Sequence, residues 1–305
     1  MNRFTHAGNV TPVIDIPTAF AASLNRSADP ADRAFLDALP RLAADHLHRW
    51  DLHPDGPAMH GRCALVLPVT RADGTRAVLK LQQTDTETEG EPVALRAWNG
   101  DGAVRLLDHD PATGALLLER LDPARLLARH PDDHHVVLVI ARLLAHLTAR
   151  PAPPGLKRTL ADIAPALLDR ARRALPDIPD PAVRRLLADS AAAVREVADT
   201  PGDRLLHWDL HDENVLGADR AEWLAIDPKP LAGDPGFELW PALVNRFDPA
   251  DVRWRFDAMT DVLALDRPRA RAWTGARLLQ ICLWKIENGE RPEEEWLETG
   301  HRLRP

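Results

Sequence analysis

The chain has 305 residues, of which 45% are hydrophobic and 28% charged, and a formal net charge of −8. That length allows one large domain or two modest ones, and the composition excludes wholesale disorder. The negative balance argues against a nucleic-acid partner, whose phosphates it would repel, and is compatible with a cationic small molecule.

The N-terminus carries Arg3 and His6 but no apolar h-region, so no signal peptide is expected. The longest apolar stretch, residues 136–141, is far too short to span a bilayer. A cytoplasmic protein with no membrane partner is expected. Cys63 and Cys282 each sit in an apolar segment and read as small core hydrophobes. Ser23, Ser27 and Ser190 are the only serines, and none lies in a G-x-S-x-G elbow, so a serine hydrolase has no nucleophile. P-loop and Rossmann glycine motifs are absent as well. Among the 38 basic residues only Lys80, Lys157, Lys229 and Lys285 are lysines, so each one invites a question.

In chain order, residues 30–50 predict a helix with Phe35, Leu36, Leu39, Leu42, Ala43 and Leu47 on one face, kinked or split by Pro40. Residues 63–69 and 76–82 predict two strands joined through Asp73-Gly74, a hairpin signal. A short helix follows over 91–98, with Pro92 in its first turn and Asn99-Gly100 closing it. Strands over 103–107 and 115–119 flank a turn built from Asp110, Pro111 and Gly114. Beyond Leu121 helices dominate: a stripe of Val137, Ile140, Leu144 and Leu147, a helix capped by Asp180-Pro181, and helices over 251–265 and 267–288. Two short strands, 204–206 and 223–226, lie among them. His134-His135 reads as a solvated first turn; of the nine tryptophans, which include Trp240, Trp254, Trp273 and Trp284 on helical stripes, most read as core and a minority as lining a substrate pocket. The fold class is α+β: a small, mostly β lobe with one key helix over 1–120, then a larger helical lobe over 121–305, with a cleft implied between them.

The chemistry concentrates in H-W-D-L-H-D-E-N-V-L, His207 through Leu216. Asp209 and Asn214 stand five apart, the D-x-x-x-x-N spacing of a kinase catalytic loop. Asp227 follows an apolar strand 18 residues after Asp209 and fits a second metal position. Phosphoryl transfer needs such groups, because hard oxygen ligands must hold Mg²⁺ against nucleotide phosphates. Upstream, Lys80 sits within an apolar strand, where a lysine expects a carboxylate and a phosphate; Glu91 is the first choice of partner and Glu87 the second.

These segments, with 73–81, 100–110, 116–122 and 225–243, resemble the aminoglycoside phosphotransferase family, most closely its streptomycin 6-phosphotransferase and hydroxyurea phosphotransferase branch. The resemblance implies a bilobal protein-kinase-like fold and a monomeric enzyme that phosphorylates a small-molecule antibiotic from ATP and Mg²⁺. It also implies Asp209 as catalytic aspartate, Asn214 and Asp227 as metal ligands, and Lys80 on the α- and β-phosphates with Glu91 as its partner. The backbone of Glu119, Arg120 and Leu121 would bind adenine. Asp212, Glu213, Glu238 and Glu287 are candidates to face a cationic acceptor, Glu238 also to brace the catalytic loop.

Three features depart from that pattern, one of them Glu238, which stands where an aspartate usually starts the helix after the metal aspartate. The expected phosphate loop, residues 55–66, has only Gly56 and Gly61, and Asp212-Glu213 replaces the Pro-Gly common before the asparagine. A metal-dependent hydrolase using His207, Asp209 and His211, and a nucleotide-binding module without turnover, are the competing readings from other classes.

Overall fold

The computed structural model of the protein describes residues 14–304. Arg3 and His6 lie outside them. The chain is α+β and forms two compact units: residues up to Asp85 with Leu106–Arg120, and Thr86–Arg105 with everything from Leu121 onward.

The first unit opens with α1 (Thr18–Arg26) and α2 (Pro30–Arg49). Six strands follow: β1 (Leu52–Pro54), β2 (Met59–His60), β3 (Ala64–Arg71), β4 (Arg76–Gln82), β5 (Leu106–Asp110) and β6 (Ala115–Glu119). They make one antiparallel sheet in the order β1-β3-β4-β6-β5, with β2 also on β3. The β3–β4 hairpin turns at the Asp-Gly signal: Gly74 takes φ 82°, and Asp73 Oδ1 accepts from Thr75 N at 2.9 Å. Alternation along the two strands puts Leu65, Leu67, Val69, Ala77, Leu79 and Leu81 in one core with Phe20, Leu24, Leu39, Ala43 and Leu47 of the helices. Each such leucine contributes about 1.5–3 kcal/mol by leaving water.

Two expectations are corrected here. Pro40 lies inside one continuous helix, on its exposed side, where water can satisfy the carbonyl the proline leaves without a donor. The strand expected over 103–107 begins only at Leu106, because Ala103 forms a parallel bridge to Ala225 instead.

α2 is tied to the β5–β6 turn by a buried carboxylate. Asp110 Oδ2 lies 3.0 Å from His46 Nε2, accepts from Thr113 Oγ1 at 3.0 Å and is paired with Arg49, while Oδ1 accepts from Ala112 N at 3.0 Å. Burial alone would raise the pKa of Asp110, but these donors outweigh it and hold the pKa at about 2. The ionised form is therefore favoured in the fold. This contribution is full above the ordinary value of 3.8 and is lost as pH falls toward 2. Asp110→Ala is expected to destabilise the protein by about 2–4 kcal/mol at pH 7, with the deficit shrinking in acid. Urea unfolding of both proteins at pH 7 and pH 3 checks this, and an equal deficit at both would contradict it.

In the second unit α3 (Glu91–Trp98) runs as expected, with Pro92 in its first turn and Asn99 left-handed at φ 50°. Residues Thr86–Arg105, assigned to the first lobe on sequence, group here because Trp98 Nε1 donates to Leu147 O at 3.1 Å and residues 103–104 join Ala225. Next come β7 (Asp122–Leu126), α4 (Asp133–Leu147), α5 (Leu160–Ala174) and α6 (Pro181–Val197). The Asp132 and Asp180 side chains cap α4 and α6 by accepting from the first-turn amides. Four short strands then appear: β8 (Arg204–Leu206), β9 (Val215–Gly217), β10 (Leu224–Ala225) and β11 (Leu231–Gly233). The chain closes with α7 (Trp240–Val244), α8 (Val252–Val262), α9 (Arg267–Glu287) and α10 (Glu294–Arg302).

Cys282, Trp273, Leu187 and Val194 lie in this unit's core. Cys63 does not share that fate: it is exposed, just ahead of β3. Trp98, Trp208, Trp240 and Trp273 are buried, but Trp284 is 55% exposed and lies outside the core. Among the described residues no helix is long and apolar enough to cross a membrane.

Candidate active site

Two antiparallel ribbons build the site. β8 pairs with β11, with Leu206 opposite Leu231, and Lys229 N donates to His207 O at 3.1 Å. β9 pairs with β10, with Val215 opposite Ala225, and Ile226 N donates to Asn214 O at 2.9 Å. The first ribbon sets residues 207–208 beside 229–230. The second sets Asn214, just before β9, beside Asp227, just after β10. The two connecting loops thus carry every chemically active residue read from this stretch of sequence.

Asn214 Nδ2 donates to Asp209 O at 2.9 Å. A carbonyl can only accept, so this bond fixes the amide orientation and makes Oδ1 the acceptor atom opposite it. Asn214 Oδ1 and the Asp227 carboxylate are hard oxygen donors, a set that suits Mg²⁺.

Trp208 (φ 71°) and Asp227 (φ 59°) both take left-handed backbone, which costs about 1–3 kcal/mol at each non-glycine residue and persists only where surroundings enforce it. For Trp208 the enforcement is visible. Its N–H donates to Glu238 Oε1 at 2.8 Å, and the guanidinium carbons of Arg158 and Arg277 lie 4.4 and 4.1 Å from its ring centroid. Burial lowers the pKa of Arg277 to about 10, still well above neutral, so it remains a cation against the ring.

Lys229 completes the cluster. Its Nζ lies 3.0 Å from Asp209 Oδ2 and 3.7 Å from Glu87 Oε2. Burial would lower its pKa, but the Asp209 charge and hydrogen bond, then the Glu87 charge, outweigh burial and raise it.

The acidic acceptor-facing candidates separate on inspection. Asp212 is buried and its Oδ2 accepts from Arg246 Nε at 2.7 Å; the same guanidinium bonds Asp133 and the carbonyls of residues 127, 128 and 130. Glu238 is fully buried under Trp208. Each thus commits one carboxylate oxygen inside the protein, while Asp212 Oδ1 and Glu238 Oε2 are buried without a hydrogen-bond partner among the described residues. Glu287 pairs with Arg170 Nε and Nη2 at 3.1 and 2.7 Å, whereas Glu213 is exposed on the turn after Asp209.

His207 is a strut. It is fully buried, burial depresses its pKa to about 4, and its neutral ring donates from Nε2 to Ile226 O at 3.0 Å. Among the described residues His207 Nδ1 has no hydrogen-bond partner, but no group of three or more His, Cys, Asp or Glu side chains could hold a metal ion, so the hydrolase reading of His207, Asp209 and His211 has no site.

In the first unit Lys80 is 5% exposed on β4, opposite Val66 and Leu116, on the sheet face away from the helices. Glu119 ends β6, and Arg120 Nη2 donates to Asp55 O and Oδ2 at 3.0 and 3.1 Å. The glycine-poor segment expected over phosphates is the β2–β3 hairpin, whose tip is closed by Gly61 N donating to Ala64 O at 3.0 Å. Glu91, at the start of α3, is fully buried in the second unit.

Sequence reasoning missed Lys229, Arg158 and Arg277. Lysine scarcity marked Lys229; nothing in the local pattern marked the two arginines among so many others.

Comparison with known proteins agrees with this geometry. The family model described as aminoglycoside/hydroxyurea antibiotic resistance kinase matches residues 49–289. A hydroxyurea phosphotransferase from Kitasatospora aureofaciens is 56% identical over 290 residues, 94% of this chain and 85% of that protein. A streptomycin 6-kinase from Streptomyces glaucescens is 53% identical over 289 residues, 92% of this chain and 94% of that protein. In fold, a macrolide 2′-phosphotransferase structure from Brachybacterium faecium superposes with a TM-score of 0.58 at 20% identity, covering 88% of this chain and 98% of that one. The fold is therefore protein-kinase-like, and the chain belongs to the aminoglycoside/hydroxyurea antibiotic resistance kinases, enzymes that transfer phosphate to a hydroxyl group.

Proposed function

We propose that this chain transfers the γ-phosphoryl group of MgATP to a hydroxyl of a streptomycin-type aminoglycoside and so inactivates the antibiotic. The observation that carries the reading is the joint placement of Asp209, Asn214 and Asp227 on the loops of two adjoining ribbons. Asp209 accepts the hydrogen bond of the acceptor hydroxyl, aims its oxygen at phosphorus and takes its proton. Asn214 Oδ1 and Asp227 would hold Mg²⁺, which when bound neutralises charge on the nucleotide phosphates. To Lys80 and Glu91 we assign the α- and β-phosphate end of the nucleotide, and to the backbone of Glu119, Arg120 and Leu121 the adenine. Exposed Glu213 is the acidic side chain of the loop left to meet a cationic acceptor. A cytoplasmic monomer acting on a small molecule, with no nucleic acid or membrane, suits this role.

The 56% identity to a hydroxyurea phosphotransferase favours a second reading, with that small neutral molecule as acceptor. A competition assay separates the two. With MgATP and equal concentrations of streptomycin and hydroxyurea, phosphorylated streptomycin is expected to exceed phosphorylated hydroxyurea by at least ~10-fold, ~1.4 kcal/mol of discrimination. A product mixture dominated by phosphorylated hydroxyurea would transfer the conclusion to the second reading.

A further inference from the structure

Lys229 has no part in the roles assigned above, yet its ammonium lies against the carboxylate of Asp209. Its Nζ lies 3.0 Å from Asp209 Oδ2. Glu87 Oε2, at 3.7 Å, is beyond hydrogen-bond reach, so only one of the three ammonium donors is committed to these two carboxylates.

The main chain beneath it is held at both ends. Its N–H donates to His207 O at 3.1 Å, and its carbonyl accepts from Arg158 Nη1 at 2.8 Å. Pro228 and Pro230 flank it; the first has a fixed φ, and the second keeps Lys229 out of helical backbone. Arg158 in turn stacks on Trp208. The lysine is thus locked to the same framework that holds Asp209, with 30% of its side chain accessible.

Two effects decide what such a lysine does. As a stabilising ion pair it is worth little, because a part-exposed pair of this kind contributes at most about 1 kcal/mol. As a neighbour it occupies one lone pair of Asp209 Oδ2, which by itself does nothing for transfer. The placement helps the reaction only if the cation also meets the charge that the reaction develops. In a loose phosphoryl-transfer transition state that charge spreads over the non-bridging oxygens of the moving group, which must pass close to the hydroxyl that Asp209 holds.

We propose that Lys229 is a further catalytic residue, whose ammonium touches the non-bridging oxygens of the phosphoryl group as it passes to the acceptor. The bond from acceptor oxygen to phosphorus forms as the bond from phosphorus to the β,γ-bridging oxygen breaks. ADP leaves with that electron pair, the hydroxyl proton goes to Asp209, and Lys229 keeps its own protons throughout. This rests on the assignment of Asp209 under the proposed function.

The test compares wild type with Lys229→Met and Lys229→Ala at saturating MgATP and streptomycin or hydroxyurea, whichever wild type phosphorylates. Lys229→Met is expected to lower kcat by about 10²-fold, while KM for both substrates stays within about threefold. Adding methylammonium or propylammonium to Lys229→Ala is expected to restore activity by at least about fivefold, and tetramethylammonium, which has no N–H, is expected not to. Retention of more than about a tenth of wild-type kcat by Lys229→Met, or a loss that no primary amine restores, overturns the proposal. If wild type phosphorylates an acceptor and Lys229→Met matches it, only the lysine assignment falls. If wild type transfers phosphate to neither acceptor, the reading of the site falls and this inference with it.

Discussion

Asp209→Ala is expected to lower kcat by about 10³-fold while leaving the protein folded and able to bind ATP, since a positioned base typically contributes 10²–10⁴-fold. The separation of chemistry from binding follows from which atoms are lost. Asn214 is anchored to the backbone carbonyl of residue 209, not to its side chain, so the metal-binding amide keeps its orientation in the variant. Asp227 is held by a different ribbon and does not depend on the Asp209 carboxylate. The Asp209 side chain is 26% accessible and pairs with Lys229 only at a part-exposed site, so its removal should change stability by no more than about 1 kcal/mol. Steady-state kinetics with parallel ATP-binding titrations check this. A variant keeping more than about a tenth of wild-type kcat, a loss below ~1.4 kcal/mol, would contradict the role given to Asp209.

Glu238 should make the stability of the whole protein depend on pH in an unusual direction. Burial raises its pKa from 4.5 to about 7, although the bond from Trp208 N pulls the other way. Between those values the folded protein binds more protons than the unfolded chain, so stability falls as pH rises through that window. Over a shift of this size the loss is on the order of 3 kcal/mol, complete above about pH 7. Glu238→Gln keeps an oxygen for Trp208 N and removes the titration. Wild type is therefore expected to lose stability relative to Glu238→Gln between pH 5 and pH 8, measured by urea unfolding, and parallel profiles would contradict the assignment. Glu238→Ala, which removes the acceptor altogether, should release the left-handed Trp208 and reduce kcat as well. The same carboxylate that the sequence suggested for acceptor binding thus serves the loop from beneath.

What could be read from the chain divides along the range of the forces involved. α3 was legible to the residue because Pro92 and Asn99-Gly100 are local signals at its two ends. The β3–β4 hairpin was legible for the same reason, through Asp73-Gly74. β2, β9 and β11 were not: with two or three residues each, they have no readable alternation and exist only through pairing with a partner elsewhere in the chain. α5 escaped notice because Pro165 interrupts it and two of its four buried positions are alanines, Ala164 and Ala171. In the site, the D-x-x-x-x-N spacing located Asp209 and Asn214, since both lie on one loop. The contact of Lys229 with Asp209 depends on β8 meeting β11, and the left-handed turn at Trp208 depends on Glu238, thirty residues away. Neither leaves a trace in local sequence. The separate fates of Asp212 and Glu213 were unreadable for a related reason, because burial is a property of packing and not of charge, whereas the bracing by Glu238 was expected from the family resemblance.

This loop pair is expected to transfer phosphate from MgATP to a hydroxyl of streptomycin. The most direct measurement incubates the purified protein with MgATP and streptomycin and follows both products by mass spectrometry. One phosphorylated streptomycin is expected for each ADP formed, with dependence on Mg²⁺ and loss of both products in Asp209→Ala. ADP formation without any phosphorylated streptomycin, or phosphorylation that persists undiminished in Asp209→Ala, would contradict it.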